Sequence, residues 1–276
     1  MKNNKKKLIR YIQSISPYLA GKLAFYNYIR AIKIPIRQLE SRIMNEATVN
    51  EIIINGKKMK IYSWGENKKP VLLVHGWGSR ASRLYLLIKA LRDENFKPIT
   101  FDAPGHGDSE GNSTDIIEYF NIINFLAIEQ GDFEAVIAHS LGVLYSMYAL
   151  KQGIKTNKFI AISGVSELDY TIKNFTKQTG LNKKTHQNIR KKLEEYFKNE
   201  NNIWEKFSAY SEPKIDCNKI LLMHDKDDEE VELRQSKLLF DVYKDVAKFH
   251  ITEALGHIRI LMNEDVVRRV ITHIKI

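Results

Sequence analysis

Apolar and polar residues follow two different periods along this chain. From residue 51 onward, short strand-like runs alternate with longer stretches of helical spacing. Glu51 to Ile54 and Met59 to Trp64 flank Asn55-Gly56, a dipeptide that closes a two-residue hairpin because both positions accept positive φ. Beyond it, apolar runs recur at 71–74, 97–101, 133–138 and 158–162, with helical patterns at about 82–94, 114–129 and 141–152 between them. Continuous apolar runs of this kind are typical of strands buried on both faces. Two more follow at Ile220 to Met223 and Lys248 to Thr252, and a closing helix, Glu264 to Ile276, carries Val266, Val267, Val270 and Ile274. The alternation predicts an α/β fold, a mostly parallel sheet with helices on both faces.

Two stretches depart from it. Residues 164–216 are polar and Lys-rich, with one amphipathic helix carrying Ile189, Leu193 and Tyr196/Phe197. An insertion at this place, after the sixth strand, suits a cap. Its aromatics Tyr170, Phe175, Phe197, Trp204, Phe207 and Tyr210 are candidates for lining a pocket or for packing cap on body, and packing is the expectation for most. The other stretch is the N-terminal leader, residues 1–46, which also reads as helical. Ser16-Pro17 suits a helix cap and first position. Leu19, Leu23, Tyr26 and Ile29, widened by Phe25 and Ile32, form the expected apolar face, to be buried against the body or in an anionic membrane surface. Packing is the first expectation. The α/β domain is expected over 47–276.

Charge separates the leader from the rest. The net charge is +10, yet residues 1–39 hold nine Lys and Arg (from Lys2, Lys5, Lys6, Lys7 and Arg10 to Arg37) and no acid. Removing these nine from the 43 basic residues leaves 34 against 33 acidic ones. The body is nearly neutral, so its charge does not indicate nucleic-acid binding. A lone cysteine, Cys217, excludes an internal disulfide and fits a reducing compartment. No run approaches the length of a membrane span, and Arg10, Gln13, Ser14 and Ser16 interrupt any signal-like apolar core. The expected location is cytoplasmic, with peripheral contact of the leader at the inner membrane face as the alternative role. The oligomeric state has no signature in the sequence.

The chemistry concentrates at strand ends. Ala138-His139-Ser140-Leu141-Gly142 joins an apolar strand to a helix. Small residues two before and two after a serine let strand and helix approach closely, so that the turn pushes the hydroxyl outward. Ser140 is the candidate nucleophile, against the plainer reading of a helix N-cap. His75-Gly76-Trp77-Gly78 ends the strand before, and its tight turn leaves amides available; those of Trp77 and Leu141 are candidate oxyanion donors. Leu255-Gly256-His257 follows the last strand and makes His257 the candidate general base, with His75, His106 and His139 assigned packing or turn roles. Asp102, in Asp102-Ala103-Pro104-Gly105-His106-Gly107-Asp108-Ser109, is expected to cap its own turn.

The order serine, acid, histidine, carried by these motifs and by Asp225 to Val231, resembles that of the α/β-hydrolase superfamily, over roughly residues 50 to 276. Within it, His224-Asp225-Lys226-Asp227-Asp228 with Gly256-His257-Ile258-Arg259-Ile260-Leu261 is similar to a group of bacterial members without a settled substrate. The resemblance implies the α/β-hydrolase fold with a helical cap and a Ser-Asp-His triad. In the family the acid lies in G-x-x-D-x-x-V. Aligning on Val231 puts it at Asp228, although Asp225 then stands where the family has glycine, and Asp225 and Asp227 stay open. The same acidic cluster is read as a solvated turn rather than a cation site. The implied activity is cleavage of a carboxylic ester or thioester through an acyl-enzyme, with a small-molecule acyl substrate and no metal or organic cofactor. A ligand-binding protein without turnover and an acyltransferase using the same serine are the alternatives.

Overall fold

The computed structural model describes residues 3–67 and 69–276, and of residues 3–6 the backbone alone. Lys2 lies outside the described residues, as do the side chains of Lys5 and Lys6. The chain runs α1 (Asn3–Ile15), α2 (Pro17–Tyr28), α3 (Gln38–Met44), β1 (Thr48–Ile54), β2 (Lys57–Ser63), β3 (Pro70–Val74), α4 (Tyr85–Asp93), β4 (Lys97–Phe101), α5 (Ile116–Gln130), β5 (Ala135–His139), α6 (Leu141–Lys151) and β6 (Lys158–Ile162). It continues through α7 (Leu168–Thr179), α8 (Lys183–Tyr196), α9 (Ile203–Lys206), β7 (Lys219–Asp225), α10 (Leu233–Tyr243), β8 (Ala247–Thr252), α11 (Gly256–Arg259) and α12 (Glu264–Lys275).

The strands form one eight-stranded sheet in the order β1-β2-β4-β3-β5-β6-β7-β8. The β1–β2 and β2–β4 pairs are antiparallel, and every later pair is parallel. The hairpin forms at Asn55 (φ 52) and Gly56 (φ 74), with Ile54 opposite Lys57. All five residues of β3 are buried, because successive side chains enter different helix layers. Leu72 joins a core with Ile122, Leu126, Leu144 and Met147, while Val71 and Leu73 join one with Leu87, Leu91, Val270 and Ile274. Helix α10 escaped the pattern reading because polar Gln235 and Ser236 take up part of its buried face.

Between β6 and β7 lie α7, α8 and α9. Ile189 and Leu193 are the apolar positions α8 buries. Most of the cap aromatics pack rather than line a cavity: Phe197 meets Phe207 at 5.1 Å, Phe175 meets Tyr28 at 5.5 Å, and the Arg190 guanidinium stacks 3.8 Å from the Trp204 ring centre.

Ser16 caps α2, its Oγ accepting the Leu19 N–H at 3.3 Å, with Pro17 at the first position. The buried face of α2 corrects the expected one in part, keeping Phe25 and half-burying Leu23 and Ile29. Ala20, Gly21, Ala24 and Phe25 point inward, whereas Leu19, Tyr26 and Ile32 are exposed. The reason is the closeness of α8: a Cβ on Gly21 would stand 2.4 Å from the Asn188 Cβ. Only a residue without a side chain fits beside Asn188, while Phe25 packs on Tyr196 at the end of α8 and Leu23 and Ile29 are half-buried against the core.

Candidate active site

Ser140 sits between β5 and α6 with φ 57 and ψ −126, a backbone conformation that L-residues rarely adopt. Close approaches hold it there. A Cβ on Gly142 would lie 2.7 Å from both the Val74 and His75 carbonyl oxygens, and one on Gly76 would lie 2.7 Å from the Ser140 Cβ. The small residue predicted two after the serine, Gly142, is therefore required by distance. Ala138 fills the position two before the serine, fully buried.

The structure brings Ser140, His257 and Asp228 together from three separate strand ends. His257 Nε2 lies 3.0 Å from Ser140 Oγ, and its Nδ1 lies 2.8 Å from Asp228 Oδ2. With Asp228 ionised, Nδ1–H donates to the carboxylate and Nε2 accepts from the serine hydroxyl. Asp228 Oδ1 accepts the Glu230 and Val231 N–H groups, both at 2.9 Å. Burial pushes the Asp228 carboxyl up, but the hydrogen bond and charge of His257 together with these amides outweigh it and hold the group below the usual carboxylate range.

Asp225 and Asp227 do different work. Asp225 Oδ2 accepts from Thr252 Oγ1 at 2.7 Å and from the Leu255 N–H at 3.1 Å, and Asp227 Oδ2 accepts the Ala254 N–H at 2.8 Å. They fasten the loop that carries His257. Neither forms a hydrogen bond with the His257 ring among the described residues.

The remaining histidines near the site are structural donors and acceptors. His75 Nε2 accepts the Ala103 N–H at 3.1 Å while its Nδ1 faces the Gly76 carbonyl at 2.7 Å. His106 Nε2 accepts the Gly78 N–H at 3.1 Å. His139 stacks on His257 at 4.7 Å between ring centres, and its Nε2–H donates to the His257 carbonyl at 3.0 Å. Burial lowers His75 to about 4, and lowers His106 and His139 to about 3, so all three are neutral at pH 7. His224, in contact with Asp228 at 3.5 Å, donates Nε2–H to the Val231 carbonyl at 2.9 Å and takes the Ser236 hydroxyl at 2.7 Å. The sequence reading missed this second imidazole beside the acid; its signal was a histidine four residues before Asp228. It also missed Glu230, an exposed carboxylate 4.0 Å from His257 Nε2.

Among the described residues, neither the Trp77 nor the Leu141 N–H donates a hydrogen bond. Asp102 caps its turn as expected, Oδ2 accepting the Asp108 N–H at 2.8 Å and Oδ1 the Ala81 N–H at 2.8 Å.

A strained serine after the third parallel strand in chain order, the sheet order with its antiparallel start, and the histidine and acid on the last two strand ends together mark the fold. The chain has the α/β-hydrolase fold. A model of the alpha/beta hydrolase family matches residues 71–182. No curated protein matches the sequence. Among solved structures, the chain superposes on an esterase from Pyrococcus furiosus with a TM-score of 0.66 at 19% identity, over 89% of this chain and 98% of that one. It superposes on alpha/beta hydrolase domain-containing protein 10 from mouse with a TM-score of 0.65 at 16% identity, over 83% and 97%. An epoxide hydrolase from Vigna radiata gives a TM-score of 0.60 at 16% identity, over 84% and 99%.

Proposed function

We propose that this α/β-hydrolase cleaves a carboxylic ester or thioester of a small molecule through an acyl-enzyme. The observation that carries the reading is the unbroken relay from Ser140 Oγ to His257 Nε2 and from His257 Nδ1 to Asp228. The esterase among the similar structures agrees with it. Ser140 Oγ attacks the acyl carbonyl while His257 Nε2 takes its proton. The oxyanion forms against the Trp77 and Leu141 amides, and removing one such donor costs about 10²- to 10³-fold in rate. His257 then protonates the departing alcohol or thiol. Water, deprotonated by the same nitrogen, releases the acid. Asp228 keeps the imidazole in the required tautomer and stabilises its charge.

A fluorophosphonate tests the reading, followed by peptide mass spectrometry on the wild type and Ser140→Ala. The expected result is an adduct on Ser140, absent in the folded variant, and consumption of a 4-nitrophenyl ester by the wild type alone. Equal turnover by both proteins overturns the assignment of Ser140. Labelling without consumption overturns hydrolysis in favour of acyl transfer or ligand binding, which added nucleophiles and equilibrium binding then separate.

A further inference from the structure

We propose that the outer face of α1 and α2 is a docking surface for an anionic lipid bilayer. Of the sixteen exposed large hydrophobic side chains among the described residues, nine fall between Leu8 and Leu39. Scattered singly such residues need no explanation, but a concentration in one segment does. Leu8, Tyr11 and Ile15 are spaced i, i+3, i+7 along α1, and Tyr18, Leu19 and Tyr26 continue the outward set on α2. Failed packing does not account for them. Both helices are firmly seated on their inner sides, α1 through Ile9 and α2 through Ala20, Gly21, Ala24 and Phe25. The Arg10 guanidinium donates to the Thr179 carbonyl at 2.7 Å, and the Ala31 N–H donates to the Asn112 carbonyl at 2.9 Å.

Charge selects the occupant. Lys7, Lys22 and Arg30 are exposed within the same segment, and residues 1–39 contain no Asp or Glu. In a two-fold dimer a second copy of this chain would oppose one segment without acids and with exposed Lys7, Lys22 and Arg30 to another. An anionic bilayer complements both features, taking the Leu, Ile and Tyr side chains into the headgroup boundary and pairing its phosphates with the basic side chains. Tyrosines suit that depth because an apolar ring ends in a hydroxyl that stays hydrated. No helix among the described residues is long and apolar enough to cross a membrane, so the contact lies in the interfacial plane. The surface is mounted directly on the cap. Tyr28 hydrogen-bonds Thr171 on α7, and α2 lies against α8.

The test is co-sedimentation of the full chain with vesicles of phosphatidylcholine alone and of phosphatidylcholine mixed with phosphatidylglycerol. Three proteins are compared: the wild type, Lys7→Glu/Lys22→Glu/Arg30→Glu, and Tyr11→Ser/Tyr18→Ser/Leu19→Ser. Circular dichroism and a sedimentation-velocity run without lipid accompany each. The wild type is expected to pellet with the mixed vesicles only, and to be released by salt. The charge variant should lose roughly a hundredfold or more in partitioning, and the serine variant should fail to bind while keeping its fold. Absence of wild-type binding, equal binding by folded variants, or a lipid-free dimer that the serine substitutions dissociate overturns the proposal. None of these readouts depends on turnover, so the proposal stands or falls separately from the hydrolase reading.

Discussion

The Asp225 carboxylate accepts the Leu255 N–H at 3.1 Å, two residues before His257. The acid that occupies the family's glycine position thus fixes the loop of the histidine, and Asp228 alone of the cluster hydrogen-bonds its ring. Asp228→Asn is expected to lower kcat by about 10³- to 10⁴-fold, because it leaves the wrong tautomer at Nδ1. Asp225→Asn is expected to lower kcat far less and to act mainly on stability. Weakening a buried acceptor of several hydrogen bonds costs about 1–3 kcal/mol, a fall of several degrees in Tm. Calorimetry and ester hydrolysis on the two variants check the ranking; the reverse order moves the acid to Asp225.

Ser140→Gly should stabilise the protein while abolishing reaction with fluorophosphonate. The wild-type backbone holds a β-carbon at φ 57 and ψ −126, a strain of order 1–3 kcal/mol that glycine relieves. Ser140→Ala keeps the β-carbon and should leave stability nearly unchanged. Urea midpoints for both variants decide it, and a less stable glycine variant removes strain from the account of the elbow.

Gly142→Ala should damage the elbow from the helix side. Its new methyl would stand 2.7 Å from two carbonyl oxygens of the neighbouring strand end, so either α6 or β3 must shift. Overpacking of this kind costs about 1–3 kcal/mol. A lower denaturant midpoint and slower labelling of Ser140 are expected together. Unchanged values would show that the seam between β3 and α6 has slack.

Acid should destabilise the fold from near pH 6.5 downward, before most carboxylates titrate. His75 and His273 are lowered from 6.5 to about 4, and His106 and His139 to about 3, by burial first. An unfolded imidazole binds a proton at the ordinary value while the folded one does not. The contribution of each ring is therefore complete above 6.5 and shrinks as pH falls toward its folded value, by about 1.4 kcal/mol per pH unit and per ring. Urea midpoints between about pH 7.5 and pH 5 measure the slope. His106→Gln should flatten it, since the amide oxygen can still accept the Gly78 N–H. A slope identical in variant and wild type contradicts the assignment.

Much was determined by the sequence alone. Runs such as Val71 to Val74 have no polar face to offer water, so their burial in a parallel sheet and the helices around them follow from periodicity. The elbow was readable because Ala138, Ser140 and Gly142 obey a local steric rule that needs no distant partner. Other features were decided only in three dimensions. Asp225, Asp227 and Asp228 look alike in one turn of chain. Their roles separate because Thr252, Ala254, Leu255 and His257 arrive from another strand end, and hydrogen-bond geometry then assigns each carboxylate its own donors. The leader shows the same limit. Its helical spacing marked Leu19 and Tyr26 as part of the inner face, but the close passage of α8 at Gly21 turns the buried face toward Ala20, Gly21, Ala24 and Phe25. Periodicity states that a helix has faces; which face is buried is set by the shape of what it packs against.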